Sequence, residues 1–440
     1  MTFLLKTLIF FATLFKRKQF RTSQSVEGNS IDFAKGEMML WGFKHFIRGI
    51  EDPELGKGIE EYLKKCPPVF SPPDGFVAEN TAVISAAGDI MPDEHMTNNK
   101  TAHLWDDVQD FFFPTDLRIA NLESPLDPSK ECAPPGTNII KPPAMNTTEE
   151  AFDIFWRGGE GINFFSTANN HAMDQGEDGL VNTLEFLDGK KVSYVGTSRT
   201  PEEQDNFPIL DVQGIRIALL GYTFSLNRQK TPDGKEYMAN MLRLNLPDCD
   251  ISIIKRHIAI AREKNADLII ANLHWSLEYE SFPIDNVIDM GHNILEAGVD
   301  IILGNHPHTL QPAQRYDWTD KETGREKSGL IMYAQGNVAN DLIPQKNSAL
   351  AALVRFTIQK GTLDGVQQTI VTDTQLLPII HYLRKENGQV TEVRILGLGK
   401  LEKQVSSGQC PYPLTRKQTS EIVRLRRLAG RLMPTAFTGE

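Results

Sequence analysis

Val299-Asp300-Ile301-Ile302-Leu303-Gly304-Asn305-His306-Pro307-His308 is a short apolar run that stops at a glycine and passes directly into amide and imidazole side chains. The same arrangement recurs along the chain. Ala82–Ala87 leads into Gly88-Asp89, Leu117–Ala120 into Asn121-Leu122-Glu123, and Ile162–Ala168 into Asn169-Asn170-His171. Ile215–Leu220 leads into Gly221-Tyr222, Leu268–Ala271 into Asn272-Leu273-His274, and Leu330–Ala334 into Gly336-Asn337. Apolar runs of this length fit strands buried on both faces. Between several of them lie segments of helical periodicity: Glu149–Arg157, Leu180–Leu187, Ile251–Lys264 and Val287–Ala297. Strand alternating with helix predicts an α/β layered fold. In such folds ligands gather beyond the carboxyl ends of the strands, where this chain keeps its Asp, Asn, Glu and His residues.

Outward from these runs the organisation changes. Phe33 to Lys65 reads as helix, and Pro67-Pro68 with Ser71-Pro72-Pro73-Asp74-Gly75 reads as a linker before a main unit that begins near Thr81. After Ala349 the pattern becomes alternating strands, Leu353–Gln359 and Val366–Thr372, ending near Leu377-Pro378. The tail beyond Leu383 contains a basic helix, Ser420 to Leu432, with Arg424, Arg426, Arg427 and Arg431. Such a helix is either a solvated face or a surface for membrane or nucleic acid.

Composition narrows the class. The 440 residues exceed one ordinary domain, and 40% hydrophobic with 23% charged residues is ordinary for a globular chain. A net charge of −11 argues against a broad basic surface for nucleic acid, so no nucleic-acid partner is expected. Cys66, Cys132, Cys249 and Cys410 are too scattered for a thiolate metal site, although two disulfides remain arithmetically open. At the amino terminus, the apolar run Thr7–Phe15 is followed by Lys16-Arg17-Lys18. It is shorter than the about 20 residues a spanning helix needs, and it lacks a small-x-small cleavage site. Two readings stay open: a shallow membrane anchor with its basic run on anionic headgroups, or a helix that docks on the core.

Singly, each polar strand end is a turn residue or a cap; together they form a ligand set. Asp89, Glu123, Asn170, His171, His274, His306 and His308 all follow buried strands and should converge on one edge. Carboxylate and amide oxygens suit hard cations, and imidazoles suit Zn, Mn or Fe. In an extended segment alternate residues share a face, so His306 and His308 should point to one site with Pro307 stiffening the link. Two such ions clamp an attacking and a leaving oxygen. His171, beside Asn170, is placed to protonate a leaving group.

Six blocks appear in order: Gly88-Asp89-Ile90-Met91, Ala120-Asn121-Leu122-Glu123, Asn169-Asn170-His171-Ala172-Met173-Asp174, His274-Trp275-Ser276-Leu277-Glu278-Tyr279, Gly304-Asn305-His306-Pro307-His308 and Tyr333-Ala334-Gln335-Gly336-Asn337. Together, over roughly Thr81 to Pro378, they resemble the bacterial capsule-synthesis (CapA) family, also described as poly-γ-glutamate capsule-synthesis proteins. That family is similar in turn to calcineurin-like metallophosphoesterases. The resemblance implies a four-layer sandwich, two mixed β-sheets flanked by helices. It implies Asp89, Asn121, Glu123, Asn170, His274, His306 and His308 as ligands of one or two divalent ions (Mn, Zn or Fe). His171 becomes the general acid. From their place beside the site, Trp275, Glu278 and Tyr279 read as a substrate wall, with Glu278 open as a further acid or ligand and Trp275 and Tyr279 open as residues that pack beneath the site. Asn337 and Asp341 are expected to fix the loop beyond the last strand. Three positions depart from the phosphoesterase or capsule pattern. Met91 stands where phosphoesterases have a His, Asn-Leu-Glu replaces their Gly-Asp element, and Asn305 stands where capsule relatives often have His.

The expected organisation is therefore residues 1–20 as a membrane anchor or targeting segment and 21–80 as a helical extension with a Pro-rich linker. A CapA-type unit at 81–382 and a carboxyl-terminal extension with a basic helix at 383–440 complete it. Two functions compete. One is a metal-dependent hydrolase of a phosphorylated small molecule or related bond. The other is a non-catalytic subunit that binds a surface polymer within a membrane synthesis or export complex. Localisation is membrane-associated through the amino-terminal run, or cytoplasmic.

Overall fold

The computed structural model describes residues 20–28, 35–134, 143–321, 323–338 and 346–437. The apolar run Thr7–Phe15 and Asp341 lie outside these residues. Thirteen strands follow in chain order: β1 (Val77–Ile90), β2 (Leu117–Leu122), β3 (Phe164–Ser166), β4 (Ser193–Val195), β5 (Ile209–Val212), β6 (Ile215–Thr223), β7 (Leu268–His274), β8 (Ile301–Asn305), β9 (Ala313–Thr319), β10 (Glu326–Met332), β11 (Leu350–Leu363), β12 (Val366–Glu386) and β13 (Gln389–Gly397). They form two mixed sheets flanked by helices, of order β13-β12-β11-β1-β2-β3-β4 and β5-β6-β7-β8-β10-β9.

Each sheet has a parallel heart. β1 to β4 run parallel in the first, with β11 to β13 added antiparallel. β6, β7, β8 and β10 run parallel in the second, with β5 and β9 as antiparallel edges. Period-two alternation divides the side chains of the first sheet between two cores. Ile84 and Ala86 of β1, Ile119 of β2, Phe164 of β3 and Phe356 of β11 join Ile217, Leu219 and Ile270 of the second sheet in one cluster. Their neighbours Ala87, Ala120, Phe165 and Leu353 join Phe152 and Phe155 of the Glu149–Trp156 helix in another. Burying each of those aromatic side chains is worth roughly 1.5–3 kcal/mol. The helix itself starts where the Thr148 hydroxyl accepts from the Ala151 amide, and it stops at Arg157 in the left-handed region.

Several expectations need correction. The stretch read as one helix from Phe33 to Lys65 is two, Lys35–Phe46 and Ile59–Lys65, because Pro53, Gly56 and Gly58 intervene. Beyond Leu383 the chain continues as β12 and β13 and then a Leu398–Ser406 helix before the basic one. All four cysteines are free thiols. The basic helix spans Arg416–Leu432 and buries Ile422, Leu425, Leu428 and Leu432. Arg424 pairs with Glu51 at 2.6 Å, and Arg431 pairs with Asp52 at 3.0 Å and Glu60 at 2.6 Å. Two of its five arginines thus face the amino-terminal extension. Among the described residues no helix is long and apolar enough to cross a membrane.

The two sheets are tied together at one end. The Asp89 amide donates to Gly336 O at 2.9 Å, and the Val338 amide donates back to Asp89 O at 2.9 Å. This brings the end of β1 against the loop after β10. The approach requires Gly88, since a Cβ there would lie 1.7 Å from Gly336 O. Gly88→Ala should therefore destabilise the protein by about 3 kcal/mol, as overpacking against rigid backbone does. Gly189→Ala, in a helix and in open space, should be neutral or slightly stabilising. Thermal unfolding of both variants checks the pair.

Candidate metal centre

The carboxyl ends of the parallel strands from both sheets meet here. Asp89 closes β1, Asn121 lies in β2 with Glu123 just beyond it, and Asn170 and His171 follow β3. From the second sheet come His274 at the end of β7, His306 and His308 beyond β8, and Asn337 beyond β10. All are buried, Asp89 and Glu123 completely. Two groups have every ligand atom within 4.8 Å of the others: Asp89, Glu123 and His274, and Glu123, His306 and His308. Glu123 belongs to both, so it occupies the bridging place between them.

The detailed geometry assigns each residue a part. His274 Nε2 is 3.3 Å from Glu123 Oε1 and 2.9 Å from Asn170 Oδ1. His308 lies 3.5 Å from Asp89 and 3.6 Å from Glu123. His308 Nδ1 also meets Asn337 Oδ1 at 3.0 Å. Asn170 directs its amide nitrogen to Asn227 Oδ1 at 3.3 Å, which leaves its oxygen on the His274 side. Asn121 does the reverse. Its Nδ2 donates to Asp89 Oδ1 at 2.7 Å while its oxygen accepts from Asn169 at 3.4 Å. As arranged, Asn121 orients Asp89, with its nitrogen rather than its oxygen on the carboxylate side.

The His306-Pro307-His308 segment is not extended. His306 has φ 102° and His308 φ 53°, so the two imidazoles converge through a left-handed turn, with ring centroids 5.9 Å apart. Such backbone strain in non-glycine residues costs about 1–3 kcal/mol each and persists only where surroundings over-determine it. Here the His306 amide donates to Asp89 Oδ2 at 3.2 Å, pinning the turn to the opposite sheet.

Burial and mutual contact set the protonation of the cluster. Burial pushes the Glu123 carboxyl well above the ordinary range, and neighbouring Asp89 adds to the effect. Neither Glu123 oxygen makes a hydrogen bond. Burial also acts against ionised Asp89, but the His308 contact and the charges of His274 and His308 outweigh it, so its carboxyl titrates below the usual range. Burial lowers His274 to about 3 and drives His306 well below the ordinary imidazole range. For His308 burial is outweighed by Asp89, and its imidazole is raised. Two neutral imidazoles, an amide oxygen and a buried carboxylate without a hydrogen-bond donor fit a divalent ion. Asp89, Glu123, Asn170, His274, His306 and His308 are the residues that can hold one.

His171 stands beside this cage, its Nδ1 2.8 Å from Asp174 Oδ2. A carboxylate on Nδ1 fixes the tautomer and leaves Nε2 as the nitrogen on the other side of the ring. Asp174 was not anticipated; the three-residue spacing from His171 was its one signal. Trp275 does not line the site. It is fully buried, and its indole donates to Tyr333 O at 3.0 Å, so it packs beneath the strands. Glu278 is half-buried and accepts from the Trp41 indole. Tyr279 sits with its ring 6.1 Å from His308, and its hydroxyl meets His45 Nδ1 at 3.2 Å. Sequence reasoning had no signal for Trp41 or His45.

Fold and site define the class: an α/β sandwich whose two sheets meet at a buried carboxylate–imidazole centre. Residues 83–342 match the family described as bacterial capsule synthesis protein PGA_cap, and the chain belongs to that family. It is similar to the PGA biosynthesis protein CapA of Bacillus subtilis (strain 168), 29% identical over 288 residues, which cover 63% of this chain and 69% of that protein. It is similar also to the capsule biosynthesis protein CapA of Bacillus anthracis, 27% identical over 270 residues and 59% of each chain. A probable polyglutamine synthesis accessory protein of Mycobacterium tuberculosis (strain ATCC 25618 / H37Rv) is 21% identical over 178 residues, 40% of this chain and 44% of that one.

The raised Glu123 carboxyl has a measurable sign. An acid whose pKa is raised by folding contributes stability below its unfolded value and loses it as pH rises through the folded one. In chelator, the stability gap between wild type and Glu123→Gln should therefore shift in favour of the variant as pH rises above the ordinary carboxylate range. At neutral pH, Mn²⁺ at about 100 times its dissociation constant should add about 2.7 kcal/mol to wild type and little to the variant. Chemical denaturation across pH, with and without metal, reads both.

Proposed function

We propose that this protein is a metal-dependent hydrolase of a phosphoester or related bond, acting in the synthesis or export of a capsule-type or poly-γ-glutamate surface polymer. The observation that carries the reading is Glu123, whose two buried oxygens have no hydrogen-bond donor amid Asp89, His274, His306 and His308. A divalent ion there supplies Lewis-acid polarisation of a phosphoryl or carbonyl oxygen. The chain's own residues do the rest. Glu123 and Asp89 anchor the positive charge, and the strained His306–His308 turn directs both imidazoles inward. His171 delivers a proton from Nε2 to the leaving oxygen, and Asp174 holds the ring on its other side.

The polymer setting comes from the family and from the names of the two Bacillus relatives and the mycobacterial one. In this reading 81–382 is the chemical unit, and 1–20 holds it at a membrane through Thr7–Phe15 and Lys16-Arg17-Lys18. Two observations favour the second reading, a binding or assembly subunit without turnover. Met91 stands where phosphoesterases have an imidazole ligand, and Asn121 donates to Asp89 where a ligand would offer an oxygen.

Metal content separates them. Elemental analysis of purified, metal-replete protein should find one tightly held Mn, Zn or Fe per chain, lost in His306→Ala/His308→Ala; no metal would sink the hydrolase reading. On a phosphodiester with an alkyl-alcohol leaving group, which must be protonated as it departs, His171→Ala should lower kcat by about 10²–10⁴, with Asp174→Asn intermediate and metal content unchanged in both. Turnover that survives His171→Ala at the wild-type rate would remove the proton-donor role.

A further inference from the structure

The Lys35–Phe46 helix lies outside the 83–342 stretch that matches the family, yet it reaches the Glu278–Glu280 loop beside the metal centre. Its Lys44 pairs with Glu280 at 2.6 Å, and both side chains are buried, 4% and 0% exposed. About one turn before Lys44, Trp41 donates to Glu278, and the next residue, His45, meets the Tyr279 hydroxyl at 3.2 Å. The Trp41 and His45 rings stack at 4.8 Å, which holds these two contacts as a unit. Backbone bonds add to the grip: the Ile50 amide donates to Tyr279 O, and the Ser281 amide to Ile50 O, both at 2.8 Å. At Gly49 the chain passes so close to Asn347 that a Cβ would meet its side-chain oxygen at 2.1 Å.

What this segment grips is the loop that supports the histidine turn. The Tyr279 amide donates to Pro307 O at 2.8 Å, between the two candidate ligands. Tyr279 is itself in the left-handed region, at φ 62°, and its carbonyl also accepts from Asn347 Nδ2 at 2.9 Å. A continuous path of contacts therefore runs from Lys44 and His45 through Glu280 and Tyr279 to Pro307. Residues that orient metal ligands without touching the ion tune its affinity strongly. Burying a lysine–glutamate pair is costly unless its geometry is used, and removal of one partner leaves an uncompensated charge.

We propose that the segment Trp41–Ile50 is a positioning element of the metal centre, holding the His306-Pro307-His308 turn in its strained geometry through the Lys44–Glu280 pair and the His45–Tyr279 contact. The inference rests on the metal-centre reading above. The test uses the full chain, stripped with chelator, in four forms: wild type, Lys44→Met, Lys44→Arg and His45→Phe. Mn²⁺ affinity is measured by titration calorimetry, and the visible spectrum of the Co²⁺-loaded protein reports ligand geometry. Lys44→Met should bind Mn²⁺ about 10–100-fold more weakly and shift the Co²⁺ bands, and Lys44→Arg should restore both. His45→Phe, a change at a half-buried position, should weaken binding by a smaller factor with a spectral shift in the same direction.

A merely structural helix would lower the unfolding temperature and leave affinity and spectrum alone. Folded Lys44→Met with wild-type affinity and spectrum therefore overturns the proposal. If Lys44→Met does not fold, His45→Phe decides, and wild-type values there overturn it equally. Should wild type bind neither ion, the metal-centre reading itself falls and takes this one with it. Binding in wild type with indifferent variants removes the positioning role alone.

Discussion

Two carboxylates buried side by side are the constraint around which this protein is built. Asp89 and Glu123 are both fully enclosed, and the ion-pair partners found for them are the imidazoles of His274 and His308. Each ion withdrawn from water costs several kcal/mol that its surroundings must offset. The sheets offset it jointly: the first brings the carboxylates, the second the imidazoles. That requirement explains why strand ends from both sheets must meet, why β1 closes on the loop after β10, and why His306 tolerates an unfavourable φ.

How much of this could be read from residues alone depended on burial. Strands covered on both faces announce themselves as unbroken apolar runs, and β1, β2, β6, β7, β8 and β10 were legible for that reason. Short edge strands are not. β4 has three residues and β5 four, too few for alternation to emerge. The last strand of the first sheet, β13, mixes Gln, Thr, Glu and Arg with its buried Val390, Val393 and Ile395, so its pattern sank into the polar tail.

The site followed the same logic. A candidate ligand at a strand end is visible because a polar residue interrupts an apolar run, as with Asp89 or His274. What the residue does there is decided by hydrogen bonds that sequence does not display. Asn121 and Asn170 are the same amino acid at equivalent strand ends, yet one turns its nitrogen into the cage and the other its oxygen. The histidine turn likewise conceals its left-handed backbone, since proline between two histidines fits an extended segment as well. Trp275 looked like a wall because it follows a ligand, but alternation sends it to the far side of the strand. Side chains brought from far along the chain, such as Lys44, carry no local signal at all.

The arginines of the Arg416–Leu432 helix bear on the order in which the molecule assembles. Arg431 reaches Glu60 across 371 residues of chain, and Lys44 reaches Glu280 across 236. Closing loops of that length costs entropy before any contact repays it, so such pairings form after nearer ones have built a surface to receive them. Within the sheets the β1–β11 pairing spans a comparable length, Val77 with Thr362, but a whole ladder of backbone pairs repays it rather than single side-chain contacts. The amino-terminal segment then docks between a finished sandwich and a carboxyl-terminal clamp. A molecule caught before that step already has its sheets and most of its core. By far-ultraviolet spectroscopy it would count as folded, while the histidine turn still lacked the support behind Pro307.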